Sequence, residues 1–195
     1  MAGTISKTAA SYIAEMSRAL AQIDATATER FAEIIFNAWR DNRHVFVFGN
    51  GGSAANASHF GQDLAKGTLS SMNAKRRFKV IPLTDNIGFI TALANDEGYD
   101  SIFEQQLRNL GESGDVLVAI SGSGNSPNVL RAVEYAKSIG MITIGVTGYD
   151  GGKLRTLADE SVHIEIMDMG MCEALHGVVF HAVMCFLRER LARLS

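Results

Sequence analysis

The stretch FGNGGSAANASHF, residues 48–60, decides how the whole chain is read. An apolar, β-favouring run, HVFVFG (44–49), gives way to three glycines in four positions and then to an alanine-rich segment, SAANASHFGQDLAKG (53–67). A short branched and aromatic run reads as a buried strand. The segment after it reads as a helix with Ser53 near its cap. The glycines therefore stand where a strand ends and a helix begins. Glycine there permits positive φ and lets a ligand approach the backbone. Free N–H groups at a helix start favour an anion, often a phosphate.

The same alternation continues on both sides. FKVIPL (78–83), DVLVAI (115–120), MITIGVT (141–147) and SVHIEI (161–166) read as further strands. Helices are expected at 53–66, 86–95, 100–111, 127–139, 151–158 and 173–193, and two more in 4–42. Nearly all-apolar strands separated by helices predict a parallel sheet covered on both faces. The expectation is one doubly wound α/β domain over 1–195, a core at 43–195 with a helical extension at 1–42. The apolar faces of that extension, including Tyr12, Ile13, Met16, Phe31, Ile34 and Ile35, need cover. Ligands of such sheets bind beyond the carboxyl ends of the strands. Three of those ends carry unusual loops, GNGGS (49–53), SGSGNSP (121–127) and TGYDGGK (147–153), expected along one edge.

Bulk properties narrow the class. The 195 residues suit one sizeable domain. A net charge of −3 without a basic block gives no footprint for nucleic acid. The apolar runs are interrupted short of a membrane span, and the N-terminus lacks a signal peptide's apolar core. Cys172 and Cys185 form no C-x-x-C, so a reduced cytoplasmic protein is expected.

In SGSGNSP, Ser126 is placed as an N-cap and Pro127 as the first helical residue. Its hydroxyls and N–H groups can cradle a phosphate without lysine. An ordinary capped loop is the competing reading, and the pairing with GNGGS favours a ligand. GNGGS is not G-x-G-x-x-G, and there is no G-K-[ST]. His59 and Asp63, four apart, share a helix face. Glu173, His176 and His181 lie on another helix. Imidazoles and carboxylates from two helices can make a metal site, and solvated surface groups are the alternative. His44, His163, the Met167/Met169/Met171 alternation and Cys185 are read as strand start, sheet edge, packing and core. Asn95-Asp96, after an apolar helix, fits a plain turn or a ligand contact.

In order along nearly the whole chain, GNGGSAANASHF, AND (94–96), ISGSGNSPNV (120–129) and VTGYDGGKL (146–154) resemble the sugar isomerase (SIS) domain family. The likeness is greatest to its phosphoheptose isomerases. The resemblance implies a five-stranded parallel, flavodoxin-like sandwich, a homotetramer, and sites between subunits. It implies that Asn50, Gly51, Gly52, Asn95 and Asp96 contact a sugar. Ser53 of the GNGGS loop, and Ser121, Ser123 and Ser126 of the loop containing Gly122, would hold its phosphate. The family's zinc-binding His-x-x-x-Glu falls on His59 and Asp63, and its downstream Gln and His on Glu173 and His181, giving one Zn²⁺ per subunit. Asp63 and His181 are the expected acid/base groups or ligands.

Several positions depart from the family pattern. Asp63 stands for Glu, Glu173 for Gln, Gly122 for the Thr of Ser-Thr-Ser, and Gly170 for an Asp. On one straight helix Glu173 and His181 are about 12 Å apart. They share a metal only if the helix starts after Glu173 or if they come from different subunits; His176 is a rival ligand. The resemblance implies isomerisation of sedoheptulose 7-phosphate to D-glycero-D-manno-heptose 7-phosphate, with no nucleic-acid or membrane partner. Two alternatives stay open: another sugar-phosphate isomerase, and a non-catalytic SIS protein that regulates DNA replication.

Overall fold

The computed structural model describes residues 8–69 and 71–194. Five parallel strands form one sheet in the order β2-β1-β3-β4-β5. They are β1 (His44–Gly49), β2 (Lys79–Pro82), β3 (Val116–Ser121), β4 (Ile142–Thr147) and β5 (Glu160–His163). Central β3 is buried throughout, which is why its sequence shows no polar alternation. The strand order reverses between β1 and β3, so the crevice outside their carboxyl ends is the switch point where such sheets bind ligands.

Helices α1 (Ala9–Leu20), α2 (Ala25–Arg40), α3 (Gly52–Gln62) and α8 (Met169–Ala192) belong to one face. On the other lie α4 (Ile87–Asp96), α5 (Glu104–Leu110), α6 (Pro127–Ser138) and α7 (Leu154–Leu157). The expected extension is in part integral to the core. Phe31 and Ile35 of α2 are fully buried with Val45, Val118 and Ile144 of the sheet. Tyr12, Met16 and Ile34 pack against this cluster, while Ile13 stays exposed. Positions 4–7 of the predicted first helix lie outside the described residues.

An aromatic stack fixes α3 against α8. Phe60 and Phe180 stack with ring centroids 4.6 Å apart, and Phe31 meets both edge-on at 5.7 and 6.3 Å. Such pairs add about 0.5–1.5 kcal/mol each beyond the area they bury. Near the sheet edge the Asn56 amide donates to the Glu173 carbonyl at 2.9 Å, tying the same two helices again.

Several boundaries differ from expectation. Helix α8 begins at Met169 because the Asp168 side chain accepts from the Met171 N–H at 3.0 Å, an N-cap that extends the helix past the predicted 173. The last strand ends at His163: the chain continues to Ile166 with only isolated bonds, Ile164 N–H to Thr147 O and Tyr149 N–H to Ile166 O. The predicted helix over 53–66 becomes α3 followed by a π-helical turn, Asp63–Gly67. The predicted 100–111 helix splits into a 3₁₀ turn, Tyr99–Ser101, and α5, and the one at 151–158 shrinks to α7. At 24 residues α8 is, against the sequence expectation, long and apolar enough to cross a membrane by length and composition. Met171, Leu175, Val179, Val183 and Leu187 are buried in the core, which accounts for that apolarity. Cys185, expected in the core, is exposed.

Candidate functional site

A cavity of about 220 Å³ opens at the switch point. Asn50, Gly51, Gly52 and Ser53 line it from the end of β1, and Ile120, Ser121, Gly122, Ser123 and Ser126 from the end of β3. Met169 and Glu173 close it from α8. Of the residues expected to bind a ligand there, all except Asn95 and Asp96 line this cavity. Those two are exposed at the end of α4, where the Asn95 amide donates to Asp96 Oδ1 at 2.7 Å.

The backbone brings a helix start without a side-chain cap to the cavity. Gly51 takes the N-cap position of α3 with φ of +56°, and no side chain caps the helix. Ser53, expected at the cap, lies inside the first turn and is buried. The positive end of α3 therefore faces the cavity uncapped. Ser126 does occupy the N-cap position of α6, yet it makes no capping bond. Its hydroxyl lies 3.4 Å from that of Ser121, whose oxygen also accepts from Gly124 N–H at 3.1 Å. Asn50 is held by a reciprocal amide pair with buried Asn128, at 2.9 and 3.0 Å, and accepts from the Tyr99 hydroxyl at 3.0 Å. Sequence reasoning misses Asn128; its place directly after Pro127, in the first turn of a helix behind the loop, is the available signal.

The third glycine loop is a buttress. Leu154 N–H bonds Gly124 O at 2.9 Å, Gly148 N–H bonds Gly122 O at 2.9 Å, and Lys153 N–H bonds Asn125 Oδ1 at 3.1 Å. It supports the serine loop from behind and takes no part in the cavity lining.

His59, Asp63 and His181 form a second cluster. Both imidazole Nε2 atoms approach Asp63 Oδ2, at 3.5 Å from His59 and 3.4 Å from His181. The rings stand 5.2 Å apart, and one ligand atom from each residue lies within 4.8 Å of the others. The histidine side chains are 55% and 59% exposed and that of Asp63 is 18% exposed, so the cluster is open at its imidazoles. It exists because Phe60 and Phe180, the sequence neighbours of His59 and His181, are stacked.

The structure brings together three of the four expected metal ligands. Glu173 is not among them in the same chain: α8 already runs from Met169, so eight helical residues, about 12 Å, separate it from His181. His176 is no rival. It is fully buried, its Nε2 lies 3.5 Å from Cys172 Sγ, and burial lowers its pKa to about 4, with a hydrogen bond to the Thr147 backbone pulling the other way. Two imidazoles and a carboxylate match the three-protein-ligand pattern of catalytic zinc sites.

Sheet order, cavity and cluster together define a doubly wound α/β domain with a cavity at its switch point and an imidazole–carboxylate cluster further along the helices that flank it. The SIS domain model matches residues 11–148, and the chain belongs to the SIS domain family. It is 37% identical over 179 residues to a probable phosphoheptose isomerase of Thermoplasma acidophilum, covering 92% of this chain and 97% of that one. It is 36% identical over 155 residues to the phosphoheptose isomerase of Aliarcobacter butzleri, covering 80% of each. Among solved structures, a phosphoheptose isomerase from Neisseria gonorrhoeae matches with a TM-score of 0.85 and 32% identity, covering 92% of this chain and 96% of that one.

Proposed function

We propose that this protein is a phosphoheptose isomerase, interconverting sedoheptulose 7-phosphate and D-glycero-D-manno-heptose 7-phosphate at the entry to heptose biosynthesis. The observation that carries the reading is the pairing of an uncapped helix start and serine loop with an imidazole–carboxylate cluster on the same two helices, α3 and α8. Seven residues of α3 separate Gly52 from His59, about 10 Å. An extended chain covers about 1.2 Å per bond, so the eight bonds from C1 to phosphorus span roughly 10 Å. One extended heptose phosphate can therefore lie with its phosphate in the cavity and its reacting carbons near the cluster.

In this reading Ser53, Ser121, Ser123 and Ser126 hold the phosphate, and Asn50, Gly51 and Gly52 contact the sugar. Asn95, Asp96 and Glu173 complete the site, with a second copy of the chain bringing remote groups within reach. The phosphate handle positions the carbons. Asp63 and His181 serve the proton transfer between C1 and C2 through the enediol either as the acid/base pair or as ligands of the metal that polarises the carbonyl. His59, Asp63 and His181 would hold zinc, one ion per chain, with Glu173 of a neighbouring copy as fourth ligand. When bound, zinc supplies Lewis-acid polarisation.

We assign a homotetramer on the same footing. An apolar groove of about 370 Å³, lined by Leu20, Ile23, Val178, Ala182, Val183 and Phe186, runs between α1, α2 and α8, and Leu20, Val178 and nearby Ile13 are exposed. Such a groove suits a second copy of the same helices. The reading places the protein in the cytoplasm, where two free cysteines stay reduced. A panel of ketose phosphates assayed for aldose product tests the function: turnover of the seven-carbon substrate is expected, and turnover of only a shorter one would replace it.

A further inference from the structure

Beneath the cavity, α8 presents a thiol to two loops at the point where they meet. A β-carbon built on Gly148 would lie 2.2 Å from Cys172 Sγ, and one on Gly122 would lie 3.5 Å from the same sulfur. Gly148, after β4, donates its N–H to the carbonyl of Gly122 at 2.9 Å. The sulfur therefore sits in the notch between the serine loop and the loop that buttresses it. It is held there from below. Cys172 is fully buried, and the ring of buried His176 lies one turn further along α8, its Nε2 3.5 Å from the sulfur. Neither residue has a task in the proposed chemistry. Burial and the nearby Glu173 charge push the thiol up to about 11, so it stays protonated and is a poor nucleophile or ligand.

We infer that Cys172 is a positioning residue: its thiol, fixed by His176, is the spacer that sets the serine loop, and with it the phosphate, in register with α8. The same rigid helix carries His181. The position of the phosphate and the position of the proton-transfer group are thereby set by one element. The inference rests on reading Ser121–Ser126 as the phosphate cradle.

The notch permits a swap of volume as a test. Removing the sulfur (Cys172→Ala) leaves a gap under the loop; adding a methyl (Gly148→Ala) overfills it. With both changes the new methyl occupies the vacated place, 3.3 Å from the β-carbon of residue 172. Affinity for inorganic phosphate, measured by calorimetry on the full chain, is the readout, with KM and kcat beside it. Each single substitution should weaken phosphate about fivefold, the equivalent of one ordinary hydrogen bond. The double variant should recover most of that loss, and Cys172→Ser should stay within about twofold of wild type. KM should rise while kcat holds. Val179→Ala, a buried truncation further along α8, is the control: it should lower stability and leave phosphate affinity alone. Wild-type affinity in Cys172→Ala, an equal loss in Val179→Ala, or a double variant no better than the worse single would overturn the inference. Failure of the wild type itself to bind phosphate would remove the cradle, and the inference with it.

Discussion

The carboxylate of Glu173 lies directly over the α-carbon of Gly52, so close that a β-carbon there would be 2.2 Å from its carboxyl carbon. The first turn of α3 thus meets the side of α8 through a glycine, and a negative charge faces the uncapped helix start. Gly52→Ala should displace this flexible side chain into the cavity, raising KM while stability changes by less than about 1 kcal/mol. Gly124→Ala should behave differently. Its φ is +63°, and a β-carbon would lie 1.9 Å from the Gly151 carbonyl oxygen, which is backbone. That substitution should cost about 1–3 kcal/mol in urea denaturation and loosen the serine loop.

Asp63 is the shared partner of both exposed imidazoles. Protein purified without chelator should carry about one metal ion per chain, and His59→Ala and His181→Ala should each empty the site. Asp63→Asn should lower kcat by roughly 10²–10⁴-fold and leave inorganic phosphate affinity unchanged. Unchanged metal content in both histidine variants would leave the cluster as acid/base groups alone.

The stacked Phe60 and Phe180 connect packing to chemistry. Phe180→Ala should destabilise the protein by about 3–5 kcal/mol in a denaturant titration. Below its melting range it should also weaken metal binding, because the rings of His59 and His181 lose the contact that brings them together.

Buried His176 makes stability depend on pH. Its pKa is about 4 in the folded chain, against an ordinary histidine value of 6.5, so the unfolded chain binds more protons between those limits. Its contribution is complete above about pH 6.5 and is lost as pH falls to about 4, a difference of about 3 kcal/mol. Denaturation of wild type and His176→Gln across that window should show the steeper fall in wild type. Parallel curves would mean the imidazole is not kept neutral by burial.

Much of this architecture is legible in the chain itself. The three central strands, β1, β3 and β4, declare themselves because their apolar runs are buried on both faces, and the glycine and serine loops fall at the β1 and β3 ends where the cavity opens. Capping chemistry is less visible: Asp168 starts α8 four residues ahead of the expected 173, which removes a break after Glu173 that could have brought it near His181. Which cysteine is buried is also hidden. Cys172 and Cys185 sit in equally apolar sequence, and only the rotation of α8 against the sheet turns one into the notch and the other outward. Asn95 and Asp96 match the family by sequence, yet a single chain leaves them outside the cavity.

Every role assigned to the cavity and the cluster serves one act, the movement of a proton between adjacent carbons of a heptose phosphate. The direct measurement is incubation with sedoheptulose 7-phosphate and zinc in deuterated water, followed by magnetic resonance of the product. The expected result is an aldoheptose 7-phosphate carrying deuterium at C2, with label and product appearing roughly 10²–10⁴-fold more slowly with Asp63→Asn. Wild-type protein that keeps its metal and its assembled state yet gives neither product nor exchange would contradict it.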